Sequence, residues 1–107
     1  MTTHTDCEEA DMKVLAMMTL MPEVKIETVR AELANELKCS WALYASGVLR
    51  EVYATGDPEK VAFMVEAADV EAARQILAPL PMIAAGMFKV EFVELRPFVN
   101  WSILFAH

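Results

Sequence analysis

The chain has 107 residues, 56% of them hydrophobic, and a formal net charge of −7. The apolar share exceeds the roughly 45–50% usual in globular domains, yet no apolar run reaches the ~18 residues a bilayer span needs. The nine Lys and Arg residues are scattered and form no basic stripe, which sets nucleic acid aside as a partner together with the membrane.

Residues 1–11 (MTTHTDCEEAD) are polar and acidic, without an apolar period, and read as a flexible leader. They are not basic then apolar, so they do not resemble a secretory signal, and a cytoplasmic location is expected. His4 reads as a solvated residue because no His or Cys lies near it at metal-ligand spacing. Cys7 and Cys39 read as free thiols of a reducing compartment. No metal and no organic cofactor is expected.

Residues 12–21 (MKVLAMMTLM) carry apolar side chains on both parities, as a strand covered on both faces does. A chain of this length has helices enough for one cover only. The second face then calls for another copy of the chain, an enclosed cavity, or both. Activity, if any, is expected on that side.

Pro22 ends the strand. Glu23, Glu27 and Glu32 suit the early turns of a helix. Ile26, Val29, Leu33, Leu37, Trp41 and Tyr44 recur at three- and four-residue steps and predict its core-facing stripe. Trp41 and Tyr44 also carry polar tips that want a partner when buried, which makes them candidate ligand contacts. Gly47 stops the helix. Residues 48–54 (VLREVYA) and 61–67 (VAFMVEA) predict a hairpin turned at Gly56-Asp57-Pro58. Asp69 can cap a short second helix whose apolar face is Val70, Ala73, Ile76 and Leu77. Pro79 and Pro81 end that helix, and residues 87–95 form the last strand. Residues 98–107 are aromatic and need something to cover, so the tail is expected to pack on a partner subunit.

Strand, helix, strand, strand, helix, strand is the split βαβ order. It predicts a ferredoxin-like α+β domain over residues 12–97: an antiparallel sheet with two helices on one face. Two bare faces of this kind commonly pack into a dimeric α+β barrel, so a homodimer or higher oligomer is expected.

With His only at positions 4 and 107, carboxylates are the remaining proton carriers. Glu36, at the margin of the helical stripe, would shuttle a proton near neutral pH if a cavity desolvated it, and a solvated helix Glu is the plainer reading. Alternation along 48–54 places Arg50 and Glu51 on opposite faces. Arg50 could grip a ligand carboxylate, or serve as an edge-strand charge that blocks aggregation. Tyr53 could donate a hydrogen bond to an enolate, or simply pack. Lys89 and Glu91 read as a solvated ion pair.

Gly47 followed by Arg50, then Val70-Glu71-Ala72, Leu77, Leu80-Pro81, Val90 and Pro97, spaced without insertion over about half the chain, resemble the muconolactone delta-isomerase family. Arg96 stands where that family has a histidine. The resemblance implies an oligomeric cytoplasmic protein that moves a proton on an unsaturated lactone acid without metal or cofactor. It places Glu36 as the proton carrier, Arg50 as the carboxylate grip and Tyr53 as the enolate donor. Other expectations from the same fold are a non-catalytic dimeric barrel that binds a small apolar molecule, and a cofactor-independent monooxygenase.

Overall fold

A computed structural model describes residues 12–56 and 59–105. The expected leader, the tip of the hairpin turn and the last two tail residues lie outside the described residues. The elements are β1 (Met12–Leu20), α1 (Ile26–Ser46), β2 (Leu49–Ala54), β3 (Val61–Ala67), α2 (Val70–Leu77), α3 (Pro81–Ala84), β4 (Phe88–Leu95) and a 3₁₀ helix (Asn100–Phe105). The four strands form one antiparallel sheet in the order β2-β3-β1-β4. The ferredoxin-like α+β architecture is therefore the one the element order predicts, with β1 and β3 central.

Strand alternation divides the sheet cleanly. Val14, Ala16 and Met18 on β1 lie opposite Val65, Phe63 and Val61 on β3 and opposite Glu94, Phe92 and Val90 on β4, all on the helix-covered face. Val14, Ala16, Met18, Leu49, Phe63, Val65, Ala67, Ala73, Leu77 and Leu80 make one buried cluster. The other face presents Leu15, Met17 and Met64, half-buried, with the exposed Val93 beside them. This is the uncovered apolar face expected from β1.

α2 begins where Asp69 Oδ1 accepts the Ala72 N–H at 2.8 Å, which satisfies one of the unpaired donors of the first turn. Ala73 and Leu77 go into the core, and the Arg74 guanidinium stacks 4.7 Å over the Phe92 ring. α1 ends at Gly47, whose φ of +90° is left-handed backbone that favours glycine. The Val48 N–H then returns to the Leu43 carbonyl at 3.2 Å.

Three expectations are corrected here. The helical stripe is not core: Ile26, Leu33, Leu37, Trp41 and Tyr44 are exposed, Trp41 by 66%. α1 is rolled so that Val29, Glu32, Glu36, Ser40 and Leu43 turn inward, and its single buried residue is Glu36, 7% exposed. Second, Pro81 does not only end α2. It starts α3, where its missing N–H costs nothing at the first helical position. Third, no ion pair joins Lys89 and Glu91 among the described residues; both are exposed.

The 3₁₀ helix lies beyond Pro97 with Trp101, Ile103, Leu104 and Phe105 exposed. Phe98 and Trp101 meet edge to face at 5.3 Å.

Candidate functional site

Between α1, which turns Glu36 and Ser40 inward, and the sheet lies a hollow. The hollow measures about 610 Å³. Its floor is the helix-covered face of the sheet, with Met18, Phe63 and Phe88, and its roof is α1, with Val29, Leu33 and Glu36. Met82 of α3 closes one side. The hollow therefore lies on the side opposite the uncovered sheet face, where shelter for a ligand was expected.

Glu36 is the polar centre of this hollow. Its Oε1 accepts the Met82 backbone N–H at 2.8 Å, across 46 residues of sequence. That donor is free because it belongs to the first turn of α3 and has no partner within the helix. Burial raises the Glu36 pKa above its ordinary value, and the Met82 hydrogen bond opposes this in part. A carboxyl group so placed changes charge closer to neutrality than a solvated one. The plainer reading of Glu36 as a solvated helix residue does not hold.

A second, shallower groove of about 700 Å³ runs along the edge of the sheet between α1 and β2. Trp41, Tyr44, Arg50, Glu51 and Tyr53 line it. The Trp41 and Tyr44 rings lie 5.5 Å apart, tilted by 31°. Leu37, Ser40, Val52 and Tyr53 line both hollow and groove, so the two adjoin along the α1–β2 seam.

A bulge sets the position of Arg50. Leu49 pairs with Val65 and Glu51 with Met64, so Arg50 is an extra residue in the ladder. Strict alternation fails there. Instead of facing away from Glu51's side, Arg50 reaches Glu66 across the sheet, Nη1 to Oε1 at 3.5 Å, and approaches the Gly47 carbonyl at the same distance. Its guanidinium thus has a carboxylate already, although a half-exposed pair of this length binds weakly. The Tyr53 hydroxyl donates to Glu51 Oε1 at 2.7 Å. That bond, then the Glu51 charge, raises the Tyr53 pKa.

The structure thus gathers Trp41, Tyr44, Arg50 and Tyr53 in the outer groove and places Glu36 in the inner hollow, which Tyr53 also lines. Arg50 does not line the hollow that holds Glu36. One residue overlooked in the sequence does: Lys60, half-buried just before β3. Its neighbour Glu59 also lines the hollow but is exposed. Nothing in the sequence marked Lys60, because a charged residue after Gly56-Asp57-Pro58 reads as turn surface.

Among the described residues no three His, Cys, Asp or Glu side chains gather as a metal ion would require. No helix among them is long and apolar enough to cross a membrane.

A solved muconolactone isomerase superposes on this chain with a TM-score of 0.66 and 19% identity, over 80% of this chain and 90% of that one. The likeness is one of fold. A putative antibiotic biosynthesis monooxygenase from Bacteriodes thetaiotaomicron aligns with a TM-score of 0.49 and 23% identity, over 84% of this chain and 91% of that one. No family model matches the sequence, and no curated protein matches it.

Proposed function

We propose that the protein is a small enzyme that moves a proton on an unsaturated cyclic or aromatic-derived carboxylic acid, with Glu36 as the group that takes and returns it. The observation that carries this reading is the carboxylate of Glu36, desolvated in an apolar hollow and held by one main-chain N–H. A general base works best with a pKa near the operating pH, and burial moves Glu36 in that direction. Its second oxygen has no hydrogen-bond partner among the described residues.

In the proposed reaction the Glu36 carboxylate removes a proton from a carbon beside the conjugated system. The C–H electron pair shifts through the double bond to a carbonyl oxygen as a dienolate. Glu36 then returns the proton to another carbon, so the double bond moves and the enzyme is restored. Tyr53 would donate to the developing oxyanion only by turning its hydroxyl away from Glu51, which pairs with Met64 on the uncovered face of the sheet. Trp41 and Tyr44 would hold the outer part of the substrate, with Arg50 drawing acids to the groove. A muconolactone isomerase of the same fold lends the reading a precedent in reaction type.

The test is exchange in deuterated water. Wild-type protein incubated with muconolactone or a related unsaturated lactone acid should place deuterium on ring or side-chain carbon, and Glu36→Gln should abolish this. Equal exchange in both proteins overturns the proposal. Binding of the acid by wild type without exchange would leave a non-catalytic binding barrel.

The same reading makes the working unit an oligomer in the cytoplasm. The uncovered Leu15, Met17, Met64 and Val93 patch and the exposed aromatic tail are the surfaces a second copy would cover. Light scattering at micromolar concentration should give at least twice the chain mass, and a monomeric mass would refute it.

A further inference from the structure

We infer that the hollow contains an anion subsite made by Lys60, so that its ligands are small carboxylic acids gripped within the hollow rather than at the outer groove. This rests on the reading of Glu36 above for the reaction but not for the binding. Three observations support it. Lys60 is the one basic residue lining the hollow among the described residues. It makes no ion pair with any carboxylate among them, whereas the other candidate cation, Arg50, is paired with Glu66 and lies outside. Its backbone is pinned at the base of the hairpin: the Lys60 N–H donates to Thr55 Oγ1 at 2.8 Å, and the Lys60 carbonyl accepts the Thr55 N–H at 2.9 Å.

The chemistry follows from that placement. Lys60 is half-buried, and long basic side chains so placed shelter their methylenes and keep the ammonium for a polar group. A ligand carboxylate would meet that ammonium, and the remaining apolar body would fill the space between Phe63, Phe88 and Leu33 beneath Glu36. The two carboxylates of the hollow are unequal. Glu36 is buried and favours its proton, while Glu59 is exposed and solvated.

The test is calorimetric binding of phenylacetate and its methyl ester to the full chain. Wild type should bind the acid and prefer it over the ester. Lys60→Met should weaken acid binding about tenfold or more, as loss of a charge-assisted contact does, and erase the preference. Lys60→Arg should restore most of it. Thermal unfolding checks that each variant keeps its fold. The inference is overturned if wild type binds neither ligand or binds both equally, or if Lys60→Met keeps the preference. Binding is read without turnover, so the two proposals fail separately. Acid preference that depends on Lys60, without deuterium exchange, retains the subsite and removes the isomerase; exchange with a preference indifferent to Lys60 does the reverse.

Discussion

The two long helices of this chain cover the same face of the same sheet and do opposite things with it. α2 turns its apolar side to the core: Ala73 and Leu77 are buried, and Val70 and Ile76 pack against the cluster half-buried. α1 is more than twice as long, yet it contributes no fully buried residue to the core cluster, and what it buries is Glu36. Its aliphatic and aromatic groups, Leu33, Leu37, Trp41 and Tyr44, line the hollow and the groove instead. One helix fills the core while the other leaves a hollow and a groove beside it. A domain near 100 residues can sustain one such hollow when the rest of its core is well filled.

That contrast breaks most sharply if truncation does equal damage on both helices. Leu77→Ala on α2, at 1% exposure, should cost about 2–5 kcal/mol of unfolding free energy in urea titration. The matched change on α1, Leu37→Ala at 58% exposure, belongs at the other end of the scale, within about 0.5 kcal/mol, while weakening ligand binding.

Between them lies Glu36→Gln. The folded value of Glu36 is raised above 4.5, so the folded chain holds that proton more tightly than the unfolded chain. Its contribution to stability is present below the ordinary value and is lost as pH rises through the raised one. The amide of this variant would keep an acceptor for the Met82 N–H without the charge. The melting temperature of the variant relative to wild type should therefore climb from acid toward neutral pH, and a flat difference would show that burial of the carboxylate carries no such penalty.

Much of the architecture was legible from period and punctuation. The double-sided apolar pattern of residues 12–21, the hairpin around Gly56, the Asp69 cap and the alternation of β1 with its neighbours all follow from local rules that the packed sheet does not override. α3 was not legible, because Pro79 and Pro81 read as stops, and only the fold shows that the second of them also starts a helix. The site was legible in part. Glu36, Trp41, Tyr44, Arg50 and Tyr53 all line the hollow or the groove, but the apolar period predicts the wrong roll for α1. The apolar period at Ile26, Val29, Leu33 and Leu37 is the strongest signal in that segment, and it points the helix the wrong way by about one residue. Three of the five residues of the inward row, Glu32, Glu36 and Ser40, are polar, and polar residues do not advertise burial. Alternation places Arg50 on the face opposite Glu51, and a one-residue bulge undoes this without leaving a mark in composition. Lys60 depends on a hairpin geometry that no local pattern states.

The bond from Met82 to Glu36 has a consequence for how this pocket can change over time. Its donor is main chain, which any residue but proline supplies at that position. The walls around it, Val29, Leu33, Phe63 and Phe88 among them, can be traded for others of different girth, and the acid group stays where it is. The girth of the pocket can thus be retuned without moving the carboxylate that the main chain holds.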